Sequence, residues 1–316
     1  MEKRKLGTSG LLVSPITLGG NVFGWTLDEA GSFKILDAFA DAGFNSIDTA
    51  DSYSRFVPGN QGGESETIIG KWLKKRGNRK DMVIATKLGS DMGDGKKGLS
   101  AKYMKEEVEA SLKRLQTDYI DLYQSHYDDA DTPVEETMTA FNDLIKEGKV
   151  RYIGASNLSA ERITESNDFA RENNLQSYIS LQPLYNLYSR QKFEDEYLKL
   201  AADEHLAVLP YYSLASGFLT GKYRSEADLD KSPRGQGIKK YLDERGLRIL
   251  DAMDKVAGEQ NVQLSQIAIA WLLHKPFITS AIASATKEKQ LNELIDATDL
   301  QLSGEQMAAL DKASAY

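Results

Sequence analysis

Phe44-Asn45-Ser46-Ile47-Asp48-Thr49-Ala50-Asp51-Ser52-Tyr53 is the stretch that decides how this chain is read. A short apolar run ends at an acid, Asp48, and a phenol, Tyr53, follows five positions on. Met82-Val83-Ile84-Ala85-Thr86 ends in the same way at Lys87, and Tyr119-Ile120-Asp121-Leu122-Tyr123-Gln124-Ser125 ends at His126. Asp48 and Lys87 are 39 residues apart, and so are Lys87 and His126. Equal steps of that length suit one strand plus one helix each, which sets a polar residue at the same end of three neighbouring strands. An acid, a phenol, an amine and an imidazole then converge.

Outward from this stretch, the chain opens with a hairpin pattern (4–6, a turn at 7–10, then 11–13) and continues with alternating short apolar runs and amphipathic stretches. The strand candidates are 16–18, 45–48, 82–86, 120–123, 150–154, 179–182, 207–209 and 277–281. Helical spacing is plainest at 67–75, 102–115 and 134–147, the last ended by Gly148. Eight strands alternating with helices predict a closed (β/α)8 barrel with an N-terminal β-hairpin, one domain over 1–316. The alternative is an open doubly wound sheet. Its nucleotide site needs a G-x-G-x-x-G turn, and Leu18-Gly19-Gly20-Asn21-Val22-Phe23-Gly24 has a different spacing. The segment 221–240, rich in charge, Gly and Pro, reads as a long mobile loop after the seventh strand.

Composition narrows the partners. Charged residues are 27% and hydrophobic ones 41%, the balance of an ordinary soluble domain. No apolar run reaches the roughly 20 residues that span a bilayer, and Met1-Glu2-Lys3-Arg4-Lys5-Leu6-Gly7 lacks the apolar stretch of a secretory signal. We therefore expect a cytoplasmic protein with no membrane partner. With no cysteine, disulfides and thiolate metal sites are excluded, and no metal site is expected. The net charge of −8 argues against a nucleic-acid partner. Oligomeric state is left open.

In a barrel, residues at the C-terminal strand ends face the active-site mouth. Asp48, Lys87 and His126 fall at the ends of strands two, three and four, with Tyr53 in the loop beyond strand two. A free tyrosine titrates at about 10, and an ammonium group close by would draw that value down. Asp48 would hold Lys87 in place, His126 would orient a substrate oxygen, and Tyr53 would protonate an alkoxide as it forms. Carbonyl reduction is implied, and only a hydride is missing. Singly, each residue has a plainer use as a turn former, one of 15 tyrosines, a solvated lysine or one of three histidines. The joint arrangement carries the reading. His205 and His274 are taken as structural.

Longer motifs point the same way. The segment 43–53, followed by Gly63-Glu64-Ser65-Glu66, resembles the first signature of the aldo-keto reductase family. Gly148-Lys149-Val150-Arg151-Tyr152-Ile153-Gly154-Ala155-Ser156-Asn157 resembles its second. Pro210-Tyr211-Tyr212-Ser213-Leu214-Ala215-Ser216-Gly217-Phe218-Leu219-Thr220-Gly221-Lys222 is similar to the segment after strand seven in bacterial branches. The resemblance implies a barrel that binds NADP(H) extended, with Tyr53 as general acid/base, Asp48 and Lys87 tuning it, and His126 orienting the carbonyl. It implies Ser156, Asn157 and Gln182 on the nicotinamide carboxamide, which needs donors and acceptors together. Tyr211 would stack on the ring, and Tyr212, Ser213, Leu214, Ser216 and Gly217 would wrap the pyrophosphate, with Lys222 as charge partner.

After strand eight the pattern departs. Ser284, Thr286, Lys287 and Gln290 fall in the stretch that would grip the adenosine end, but Thr286 stands where many bacterial relatives have Arg, and Leu294 where Asn is usual. Gln290 matches. NADP(H) is the expected cofactor, and NAD(H) is the alternative. Phe23, Trp25 and Tyr127 are the expected walls for a small carbonyl or alcohol substrate. The same branch holds potassium-channel β-subunits, so a cofactor-binding regulatory subunit is a second reading. A sugar or polyol dehydrogenase running toward oxidation is a third.

Overall fold

A computed structural model describes residues 2–232 and 235–316. Strands β1 (Arg4–Lys5) and β2 (Leu12–Val13) pair antiparallel as a hairpin beneath a barrel. Eight parallel strands follow: β3 (Ile16–Gly19), β4 (Ser46–Asp48), β5 (Val83–Leu88), β6 (Ile120–Ser125), β7 (Val150–Ser156), β8 (Ser180–Gln182), β9 (Ala207–Val208) and β10 (Ala281–Ala283). Each pairs with its neighbour in chain order, and β10 returns to β3. The circle closes between β9 and β10, where Val208 bridges Ile278 and the Ile282 N–H donates to the Pro210 carbonyl at 3.0 Å. The architecture is the (β/α)8 barrel that the strand spacing predicts.

Helices α1 (Glu29–Asp41), α2 (Glu64–Arg76), α3 (Ala101–Leu115), α4 (Val134–Lys146), α5 (Ala160–Glu172), α6 (Leu198–Asp203), α7 (Glu244–Gln260), α8 (Leu264–Leu273), α9 (Glu288–Asp296) and α10 (Gly304–Ala313) surround the barrel. Their starts have a local cause. Asp28, Ser100, Ser159, Asp243 and Ser303 each accept a backbone N–H in the first turn, a cap worth about 1 kcal/mol. In α4, Met138, Phe141 and Leu144 recur at helical spacing and are fully buried against the sheet. Outward-facing Ile47, Ile84, Tyr123 and Ile153 complete this outer core.

A second, smaller core fills the barrel itself. Leu6 and Val13 of the hairpin plug its floor and pack with Val83, Ala85, Leu122, Ala207, Leu209 and Ile282. Gly7 permits the plug to seat. Its φ is +55°, and a Cβ there would stand 2.2 Å from the Ile179 carbonyl oxygen.

Two expectations change. The eighth strand is Ala281–Ala283, not 277–281. Phe277 instead turns into an aromatic cluster, 5.4 Å from the Phe193 ring and 5.8 Å from that of Tyr185. The segment 221–240 is not a free loop where it is described. It forms 3-10 turns at Glu226–Lys231 and Gly235–Tyr241, anchored by buried Tyr223, Leu229, Ile238 and Tyr241. Pro233 and Arg234 in that segment lie outside the described residues. Among the described residues, no helix is long and apolar enough to cross a membrane.

Candidate active site

Strand alternation builds the site. Side chains two apart share a face of a strand, so Ala85 in the barrel's apolar core lies beneath Lys87, and Leu122 lies beneath Gln124. Register sets Lys87 beside Gln124 and Ser156 beside Gln182. The result is a polar layer of Asp48, Lys87, Gln124 and Gln182 over an apolar one, at the C-terminal end of the barrel.

Lys87 is fully buried, and its Nζ donates to Asp48 Oδ2 at 2.7 Å, the Thr49 carbonyl at 2.8 Å and Tyr53 Oη at 2.9 Å. All three ammonium protons are therefore used. Tyr53 Oη donates to Asp48 Oδ2 at 3.3 Å. The other carboxylate oxygen, Oδ1, accepts from Gln182 Nε2 at 2.8 Å and Gln124 Nε2 at 3.3 Å. A buried ion pair persists only when its remaining hydrogen-bonding capacity is met in this way.

The electrostatics correct one expectation. Burial, followed by the Asp48 carboxylate, pushes the Tyr53 phenol well above its ordinary value, where the ammonium alone would pull it down. Lys87 does not win because its charge is already balanced by Asp48, and because burial pulls the amine itself downward against the raising effect of Asp48. Tyr53 thus holds its proton firmly. Burial, then the Lys87 charge, takes the His126 imidazole well below its ordinary value, so the ring is neutral at pH 7. Its Nδ1 shares a hydrogen bond with Ser90 Oγ at 2.9 Å, and Nε2 has no hydrogen bond among the described residues. The Tyr53 and His126 rings meet edge-on with centroids 6.0 Å apart.

The four residues of the tetrad are therefore together, and a hydrogen-bonded chain extends from them. Ser156 Oγ donates to the Gln182 carbonyl at 2.9 Å, Asn157 Nδ2 donates to the His126 carbonyl at 2.9 Å, and Tyr211 Oη donates to Asn157 Oδ1 at 2.9 Å. Beyond Tyr211 the backbone turns left-handed at Tyr212 (φ 53°), Ala215 (46°), Ser216 (58°) and Gly217 (100°). Successive backbone turns of this kind gather N–H groups into an anion-binding concavity. Lys222 Nζ lies 3.7 Å from where a Cβ on Gly217 would be. Ser213 is buried, with Oγ donating to the Ile282 carbonyl at 2.8 Å, and Leu214 is half-buried. On the facing strand end, Ser284 Oγ donates to Asn21 Oδ1 at 2.6 Å, and Thr286 donates through N and Oγ1 to Gln290 Oε1. Lys287 is exposed at the start of α9. The set offers donors, a cation and an aromatic face, which fits a phosphate-bearing nicotinamide dinucleotide.

The substrate walls divide. Phe23 is fully buried in the outer core and does not face the mouth; its place near a strand end does not reveal which layer it serves. Trp25 stands edge-on to Phe56 at 4.9 Å, and the half-exposed Tyr127 stacks on His126 at 4.8 Å. Sequence reasoning missed Phe56, Ser90 and Gln124. Phe56, 66% exposed, lies in the Tyr53 loop. Gln124 is signalled by standing two residues before His126, near the end of β6. Ser90 follows Gly89 in a loop with no period to read.

Residues 15–315 match the model of the Aldo/keto reductase family. The chain is 39% identical over 308 residues to a probable voltage-gated potassium channel subunit beta of Oryza sativa subsp. japonica, covering 95% of this chain and 92% of that protein. It is 35% identical over 319 residues to the uncharacterized oxidoreductase YrpG of Bacillus subtilis (strain 168), covering 98% and 95%. It is 34% identical over 324 residues to a norsolorinic acid reductase of Aspergillus flavus, covering 98% and 80%.

Proposed function

Because the chain belongs to the aldo/keto reductase family, a family of oxidoreductases, we propose that it reduces aldehydes or ketones to alcohols, reversibly, with a nicotinamide cofactor and with Tyr53 as proton donor. One observation carries this reading: a phenol hydrogen-bonded to a buried ammonium–carboxylate pair at the mouth of the barrel. The cofactor, when bound, supplies the hydride. The chain's own residues do the rest. His126, neutral and fixed by Ser90, points Nε2 at the substrate oxygen and orients it. Tyr53 gives its proton to that oxygen as negative charge grows there. Lys87 then steadies the phenolate, and Asp48 holds Lys87 within reach of it. General acid catalysis of this kind contributes about 10²–10⁴-fold.

For the cofactor, Ser156, Asn157 and Gln182 would take the carboxamide, and Tyr211 would back the ring. The left-handed turn at 212–217 with Lys222 would take the pyrophosphate, and Ser284, Thr286, Lys287 and Gln290 the adenosine end. NADP(H) is favoured, with Lys287 the nearest cation by sequence for a 2′-phosphate. A neutral Thr286 bonded to Gln290 makes NAD(H) the alternative, because a phosphate gains most from charged donors. Binding titrations with both reduced cofactors decide between them. For the activity, NADPH and a panel of aldehydes and ketones are mixed with the protein and cofactor absorbance is followed. No turnover on any of them would count against the reading. The expected compartment is the cytoplasm.

A second reading, a cofactor-binding regulatory subunit, draws on the potassium channel subunit beta names of the rice relative and of an Arabidopsis thaliana relative at 38% identity. Tight cofactor retention with very slow turnover would favour it. Faster oxidation of sugars or polyols than reduction of carbonyls would favour a dehydrogenase.

A further inference from the structure

A cavity of about 450 Å³ opens behind Tyr211, outside the tetrad. Tyr211 and Asn157 form its wall toward the candidate active site, and none of Asp48, Tyr53, Lys87 and His126 lines it. Its sign is opposite to that of the molecule. Arg190, Lys192 and Arg245 line it, and no Asp or Glu among the described residues does, although the chain carries a net charge of −8.

We propose that this cavity binds a small carboxylate carried on a flat apolar body, such as an aromatic acid. The volume lies in the range of about 300–1,000 Å³ usual for small-molecule sites. Two of its three cations make no ion pair with a carboxylate among the described residues. Lys192 Nζ has no hydrogen bond or ion pair among the described residues; it lies 5.8 Å from the centre of the Tyr197 ring. Arg245 gives Nε and Nη2 to the carbonyls of Tyr188, Ser314 and Ala315; its charge helps to lower the nearby Asp243 carboxyl, without a direct ion pair among the described residues. Arg190 is different: it pairs with Glu194 at 2.8 Å and so holds the wall. The flat body has matching surfaces in Tyr188 and Tyr211, with Pro183 and Leu184 along the same wall. Arg245 already stacks on Tyr188, 4.8 Å from the ring centre. Aromatic and apolar walls with a few placed charges are the usual make-up of a ligand pocket, and here the charges select an anion. This site goes beyond the reductase reading and does not depend on it.

The test is a calorimetric titration of the full chain with 1-naphthoate and, separately, with the uncharged 1-naphthamide. Lys192→Gln and Tyr53→Phe variants are titrated alongside, and melting curves confirm that each is folded. We expect saturable naphthoate binding that weakens about three- to fivefold in Lys192→Gln, the scale of one partly exposed ion pair. Binding should also weaken with added salt, be poorer for the amide, and be unchanged in Tyr53→Phe. No saturation below about 1 mM, which corresponds to only about −4 kcal/mol of binding, would overturn the proposal. So would naphthoate binding that Lys192→Gln leaves intact, whatever Tyr53→Phe does. Loss in Tyr53→Phe alone would place the acid at the tetrad, while absence of reductase activity would leave this result untouched.

Discussion

Asp48 ends β4 and Asp51 follows three residues on in the adjoining turn, both fully buried, yet their surroundings are opposite. Asp48 accepts hydrogen bonds from Lys87, Tyr53, Gln124 and Gln182. Neither carboxylate oxygen of Asp51 makes a well-formed hydrogen bond among the described residues, and the Ser52 backbone N–H opposes its desolvation only weakly; its own backbone N–H donates to the Lys87 carbonyl at 3.1 Å. Burial, then the charges of Glu66 and Glu107, pushes the Asp51 carboxyl well above its ordinary range. Arg114 opposes this too weakly, because its guanidinium is committed to Glu66 and Glu107. Burial neutralises an acid unless partners are built for its charge. The chain builds them for Asp48 and withholds them from Asp51, whose carboxyl burial drives toward its neutral form.

The contrast is broken most severely at the proton. Tyr53→Phe keeps the ring and removes the hydroxyl, and kcat should fall by about 10²–10⁴-fold in a steady-state assay with NADPH and an accepted aldehyde. A loss smaller than tenfold would remove Tyr53 as donor. Asp48→Asn leaves Lys87 buried without its counter-charge and should cost about 3–5 kcal/mol in urea unfolding at pH 7.

Asp51→Leu should act in the other direction. With a folded-state pKa above the unfolded value of about 3.9, wild-type stability is unaffected by Asp51 below that value. It then declines as pH rises toward the folded-state pKa. The Leu variant escapes this decline and should gain about 1–2 kcal/mol at pH 8 relative to wild type, with a smaller gain at pH 4. A gain that does not grow with pH would mean that Asp51 is ionised in the folded chain. Ser90→Ala, the mildest change, frees His126 Nδ1 and should lower kcat/KM about fivefold, the worth of one hydrogen bond, with a fall in melting temperature of no more than about 2–4 °C.

Much of this was legible because it is periodic. The 39-residue steps and the strand–helix alternation reflect a repeated unit, and the barrel follows from them. Asp48, Lys87 and His126 were readable because each ends an apolar run. What was not legible depends on neighbours distant in sequence. Phe277 leaves the eighth strand for Phe193 and Tyr185, roughly 80 to 90 residues earlier, and strand propensity is easily overridden by such packing. The upward shift of Tyr53 is a balance between burial and two charges of opposite sign, and only distances set its direction. The lone Ser90 and the inward turn of Phe23 carry no pattern at all.

The hairpin that plugs the barrel floor turns the open side of the barrel toward its C-terminal end. Leu6 and Val13 are almost wholly buried beneath the barrel, and their packing seals the floor under the inner polar layer. Asp48 and Lys87 have essentially no exposed surface, whereas Tyr53 is only half-buried. Of the three groups that Lys87 Nζ donates to, Tyr53 alone belongs to a residue with appreciable exposed surface, so the shortest hydrogen-bonded path from solvent to the hidden amine runs over the phenol oxygen. In deuterated water the amine's protons should be replaced no faster than the phenol relays them.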